Sequence, residues 1–195
     1  MNNPEYAEID GKKYKINTSY KVAIKCQEVA TDESIGDYER TLAIIYLLYG
    51  DEGIDNPKHY SKLLEKAKIY LSCGENETNE QELENNTPDF DYKQDIKLIQ
   101  ASFKSDYGID LNDTEMHWWD FFWYLNGLTE NCVLNRVREI RTYDISQIKD
   151  AKERKKIEQA KKRWQLKTNH KINITQRQQN GVDTFYKLTG IKRKE

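Results

Sequence analysis

Apolar side chains recur at helical spacing over most of this chain, and the stretches between them are dense in charge. Tyr20 and Ile24 align, with Val22, Cys26 and Val29 beside them, which predicts a helix from a Thr18 or Ser19 cap to about Ala30. Leu42, Ile45, Tyr46, Leu48 and Tyr49 form the apolar face of a second helix that starts at Asp37 and is stopped by Gly50. Tyr60, Leu63, Leu64, Ala67 and Leu71 repeat at i, i+3, i+4, i+7 and i+11 behind Pro57, a residue suited to a first turn. Cys73 and Gly74 end that third helix. A fourth, capped by Asp89 or Asp91, places Ile96, Ile99 and Phe103 on one face and closes at Tyr107 and Gly108. Ahead of them all, Tyr6 to Asp10 and Lys12 to Ile16 flank Asp10-Gly11, the signature of a tight β-hairpin.

The densest apolar stretch is Met116 to Leu128, in which Trp118, Trp119, Phe121, Phe122, Trp123 and Tyr124 are interrupted only by Asp120. Wound at 100° per residue these side chains point in nearly every direction, so the segment, capped by Asp113 or Thr114, is expected to be surrounded. It serves either as core, the default reading, or as a partner groove. The sixth helix, from Thr129 or Glu130 to about Thr142, brings Val133, Val137, Ile140 and Arg141 together. The last, Ile145 to about Leu166, lacks one continuous stripe: Ile157, Ala160 and Trp164 lie opposite Ile148. Lys149, Lys152, Arg154, Lys155, Lys156, Lys161, Lys162, Arg163 and Lys167 are distributed around it, and it is expected to project into solvent or toward a partner.

Composition sharpens this picture in one respect. Net charge is only −2, but it is split: Glu75 to Asp95 is acidic, and everything after Ile148 is basic. The stretch 75–90 cannot bury enough apolar surface to order itself and reads as a flexible acidic linker. The expected organisation is therefore 1–74 (hairpin and three helices), 75–90 (linker), 91–142 (the aromatic-rich half of the same domain) and 143–195 (basic helix and tail). Within the tail, Val182, Phe185, Tyr186, Leu188 and Ile191 predict one short amphipathic helix. The fold class is mainly α, a multi-helix bundle with a small N-terminal β-hairpin and a long basic C-terminal helix.

Candidate chemistry is sparse. Phosphate-binding glycine loops, nucleophile elbows and H-E-x-x-H are absent, so no catalytic residue and no cofactor are expected. Cys26, Cys73 and Cys132 are far apart, which argues against both a zinc site and a disulfide framework. Asp110 to Thr114 lacks the glycine and the terminal glutamate of a calcium loop, so no metal is expected either. His117, with Glu115 and Asp120 nearby, is the best site candidate, but a surface histidine at a helix start is the favoured reading. No run is long and apolar enough to span a bilayer. A Lys-rich helix with one tryptophan, Trp164, can track phosphates, yet charge runs are more often solvated faces and arginines and aromatics are not interleaved here as in stacking platforms, so nucleic acid is not the expected partner.

Several blocks together carry a resemblance. Asp10-Gly-Lys-Lys-Tyr14, Ile99-Gln-Ala-Ser-Phe103, Tyr107-Gly-Ile-Asp-Leu111, Met116-His-Trp-Trp119, Asn126-Gly-Leu128 and Glu139-Ile-Arg141, in this order, resemble the bacteriophage family named after gene product fifteen, found in siphophages and prophages of Gram-positive bacteria. The similarity covers about residues 6 to 142 and part of the basic helix. Members are encoded in the tail-morphogenesis cluster close to the tape-measure gene. The resemblance implies a non-catalytic tail assembly chaperone for the tape-measure protein, working in the cytoplasm of the host bacterium. A virion structural component of the tail or connector is the alternative, and a nucleic-acid-binding accessory protein is a more distant one. The residues expected to meet a partner are Trp118, Trp119, Phe122 and Trp123 with Lys152, Lys155, Lys156, Lys162, Arg163 and Trp164. That partner is the tape-measure or another tail protein, or a second copy of the chain.

Overall fold

The computed structural model describes residues 3–32, 34–74 and 89–167. Most of the expected acidic linker (residues 75–88) and the short helix expected after Gly181 lie outside them. Among the described residues there are seven α-helices and one two-stranded sheet, so the chain is a mainly helical bundle with an N-terminal hairpin. By its contacts the chain divides into two units, the first holding residues 3–74 and 115–122 and the second 89–114 and 123–167.

The first unit begins with strands β1 (Tyr6–Ile9) and β2 (Lys12–Lys15), paired antiparallel with Ala7 opposite Tyr14. Their turn needs two left-handed residues, and it has them in Asp10 (φ 51°) and Gly11 (φ 80°). Alternation then buries Ala7, Ile9 and Tyr14 on the face that meets the helices. Helices α1 (Tyr20–Thr31), α2 (Asp37–Ile54) and α3 (Tyr60–Leu71) follow, α2 packing against both others. Cys26, Val29, Ile45, Leu48, Leu63 and Ala67 form the fully buried seam between them. Gly50 does break α2, since its φ of 64° and ψ of −155° are non-helical, but the chain resumes helical turns as far as Ile54.

The second unit contains α4 (Ile96–Tyr107), α6 (Val133–Thr142) and α7 (Ala151–Trp164). Helix α5 (Trp118–Asn126) supplies residues 118–122 to the first unit and 123–126 to the second. In the second unit α6 packs on both α4 and α7. Ile99, Phe103, Leu111, Leu134 and Val137 are its buried apolar centre.

Four helix starts differ from the expected positions, each because of identifiable hydrogen bonds. Helix α4 begins at Ile96 because Asp91 closes a separate turn, its Oδ1 accepting the Gln94 N–H at 2.7 Å. Helix α5 begins at Trp118 because Asp110 gathers the Asn112 N–H into a turn (3.1 Å) and His117 is held in an isolated antiparallel bridge with Ser19. Helix α6 begins at Val133 because Asp106 takes both the N–H and the hydroxyl of Thr129, at 2.9 and 2.8 Å. The expected helix from Ile145 is two pieces, a 3-10 turn Ile145–Gln147 and then α7. Two successive acidic caps divide it: Asp144 accepts the Ser146 N–H at 2.9 Å and Asp150 the Glu153 N–H at 2.7 Å. Nor does α7 project away, because it lies along α6.

Candidate partner-binding surfaces

Helix α5 is an amphipathic aromatic helix rather than one enclosed on all sides. Trp118 and Phe121 have no exposed surface, whereas Trp123 and Tyr124 are 53% and 42% exposed. The expectation of a helix without a solvent face is corrected accordingly.

Within the first unit, the start of α5 is joined to the start of α1. Ser19 and His117 form an isolated antiparallel bridge, in which Tyr20 N–H donates to the Met116 carbonyl (3.1 Å) and Trp118 N–H to that of Thr18 (2.7 Å). Each helix thus satisfies an otherwise orphaned first-turn donor of the other. His117 adds a cap, its Nδ1 accepting the Trp119 N–H at 3.1 Å, while Nε2, 3.2 Å from the Pro4 carbonyl, is the donor. These contacts fix the Nε2–H tautomer. Glu115 completes the joint through Lys21 at 2.7 Å, and that ion pair holds its carboxyl below the usual range.

The indoles of α5 serve α3. Trp118 Nε1 donates to the Leu71 carbonyl at 3.1 Å and Trp119 Nε1 to that of Tyr70 at 3.0 Å, which satisfies two carbonyls at the α3 C-terminus. Tyr20 stacks on Phe121 with centroids 4.7 Å apart, and Phe121 on Trp118 at 5.7 Å. Trp118 is therefore core, Trp119 and Phe122 are half-buried, and among the four named aromatics of this helix Trp123 offers the largest free surface. A cleft of about 660 Å³ also opens in the first unit, lined by Ile16, Val22, Tyr46 and Leu47 with Lys15 at its rim.

The second unit carries the basic residues. Lys152, Lys155, Lys156, Lys162 and Arg163 are all exposed on α7, and Trp164 is half-buried, its ring 5.5 Å from the Arg163 guanidinium. No side chain of α7 is fully buried, so polar contacts hold the helix: Arg141 Nε donates to the Trp164 carbonyl (2.6 Å) and Lys161 Nζ to that of Tyr143 (2.6 Å). Arg141 also reaches the buried Asp95 with both terminal nitrogens, at 2.6 and 2.8 Å, and the Asp89 carbonyl at 2.8 Å.

That clamp was not anticipated from the sequence, although a signal for it existed. An arginine aligned with Val133, Val137 and Ile140 on one face needs a buried counter-charge. A second polar cluster gave no sequence signal: Tyr14 is fully buried, with its hydroxyl 2.7 Å from His59 Nδ1 and 3.3 Å from Asn56 Nδ2. His59 Nε2 lies 3.6 Å from Asp10, which Lys62 binds at 2.6 Å. Tyr14 is sealed from solvent, and the cluster ties the hairpin to α3 and its preceding turn. Among the described residues no group of three or more His, Cys, Asp or Glu is placed to hold a metal ion, and no helix is long and apolar enough to cross a membrane.

A family model described as Bacteriophage Gp15 protein matches residues 2–166. No curated protein and no solved structure matches the chain.

Proposed function

The chain belongs to the bacteriophage Gp15 protein family, and on that premise we propose that it is a non-catalytic assembly chaperone that binds the tape-measure protein during tail morphogenesis. Membership supports the tail-morphogenesis role itself; the chaperone activity and its partner are the finer part of the proposal. The observation that carries it is the family match over residues 2–166.

The surfaces described above are consistent with such work. A holder of a long helical client needs apolar contact that can be released and charge that guides encounter, and neither demands catalytic groups. Trp123 and Tyr124 leave aromatic surface exposed on α5, and α7 sets out five of its cations away from its packed side. Aromatic anchors of this kind dominate many protein interfaces.

The test is co-expression with the tape-measure protein of the same phage, followed by affinity co-purification at moderate salt. The full chain is expected to keep that protein soluble and to co-purify with it. Trp123→Ala combined with Tyr124→Ala is expected to reduce the yield of complex while leaving the chaperone folded. A tape-measure protein that stays insoluble and unbound refutes the reading. Recovery of the chain at fixed copy number in purified particles would point instead to a structural component of the virion.

A further inference from the structure

Five of the seven cations of α7 share one face, and Arg154 and Lys161 lie off it. At 100° per residue, Lys162, Lys155, Gln159, Lys152, Arg163 and Lys156 fall in that order within an arc of about 120°. All six are exposed, whereas Ile157, Ala160, Lys161 and Trp164, on the opposite side, are half-buried. The two glutamates of the helix, Glu153 and Glu158, lie outside the arc. None of its five cations forms an ion pair or a hydrogen bond among the described residues. Five cations without an anionic partner are thus held along about 16 Å of rigid helix, Arg163 resting 5.5 Å from the Trp164 ring.

We propose that this face of α7 binds the phosphate backbone of double-stranded DNA without sequence preference, an activity beyond the chaperone reading and independent of it. The choice among polyanions follows from what the face lacks. It has no apolar or aromatic side chain, and lysine is depleted from protein interfaces, whose affinity comes from buried anchors. Phosphate binding needs no such anchors, since its affinity is mostly counterion release. Single strands are recognised by stacking on aromatic rings, and the one ring on α7, Trp164, is on the packed side. The major groove of duplex RNA is too deep and narrow for a helix to enter, whereas that of B-DNA admits one. With one glutamine and one arginine on the arc, little is left to read base edges.

The test is fluorescence anisotropy of a labelled random-sequence duplex titrated with the full chain at several potassium chloride concentrations. Five neutralised phosphates give a slope of log K against log salt of about −4.5, so affinity falls about 500-fold between 50 and 200 mM salt. Lys152→Ala, Lys155→Ala and Lys156→Ala together, on the exposed face and away from the packing, are expected to make the slope shallower by about 3 units, roughly one per lysine. The triple variant keeps every charge beyond Lys167, so undiminished binding by it overturns the proposal, as does failure of the parent chain to bind at 50 mM salt. Equally tight binding of polyglutamate, measured in parallel, also overturns it and assigns the face to an acidic protein surface. Circular dichroism of the variant confirms that the helix is intact.

Discussion

Removing Arg141 is the most informative single perturbation of the second unit. Its guanidinium makes four hydrogen bonds, two of them to a carboxylate whose side chain is 4% exposed, and Arg141 itself is 9% exposed. Arg141→Ala leaves Asp95 buried and facing no cation, a loss of about 3–5 kcal/mol for breaking one side of a buried pair. Trp164 and Asp89 are only half-buried, so their carbonyls can turn to water and add less than the orphaned carboxylate. The penalty belongs to the orphaned charge rather than to the pair. Replacing both partners, Arg141→Met with Asp95→Leu, should therefore recover most of the loss. Urea unfolding followed by circular dichroism gives the free energies, and hydrogen exchange over residues 96–107 and 133–142 confirms that the change sits in α4 and α6. A loss below about 1 kcal/mol in the single variant would refute the reasoning, because water would then be reaching Asp95 freely.

Four further outcomes are expected. His117→Ala removes the acceptor for the Trp119 N–H and should cost about 1 kcal/mol, with His117→Asn recovering part of it, as measured by thermal unfolding. Burial pushes the Cys26 thiol up to about 12, so iodoacetamide at pH 8 should leave it unmodified in the native chain and alkylate it in denaturant, with peptide mass spectrometry as the readout. Asp106 is held below the ordinary carboxylate value of 3.8, first by the Ser105 hydroxyl and then by Thr129. A depressed folded value stabilises above the unfolded one and is lost as pH falls through the folded one, so Asp106→Asn should flatten the decline of stability below about pH 4 in acid titrations. Gly53→Ala improves helix propensity but sets a methyl 2.8 Å from Ile45 Cγ2 and 2.9 Å from Tyr49 Cβ, so unfolding should show a net loss of about 1–3 kcal/mol and not a gain.

The helices themselves were legible because each buries one face, and burial writes its period into the sequence. Tyr60, Leu63, Ala67 and Leu71 announce α3 in this way, and Asp10-Gly11 announces the hairpin through the two left-handed residues its turn requires. The starts were not legible where the cap comes from a distant residue. Nothing near Trp118 says that its N–H will find the Thr18 carbonyl, or near Thr129 that Asp106 will take both of its donors. The division of the aromatic helix was hidden for a related reason. Trp118 and Trp123 are the same residue type about 1.4 turns apart, and Trp118 is core because its indole meets the Leu71 carbonyl and stacks on Phe121, contacts that lie far off in the sequence or on another helix turn. On α7 the helical wheel places five cations on one face, but only the packed side, set by Ile157, Ala160 and Trp164, gives that face its meaning.

The way α7 is held separates the two activities proposed for this chain. Apolar burial contributes little to its docking, since Ile157, Ala160 and Trp164 are only half-buried, and much of the attachment passes through Arg141 and Lys161. Arg141→Ala therefore loosens the helix without removing any of the five cations. Affinity for duplex DNA follows the number of phosphates neutralised, and lysine stems are long enough to tolerate a displaced helix, so the salt slope should be unchanged in that variant. A helical client gripped by shape has no such tolerance. If Arg141→Ala keeps the salt slope but loses the tape-measure protein, charge and shape are being used by different partners; if it loses both, the cations act only when α7 is seated on α6.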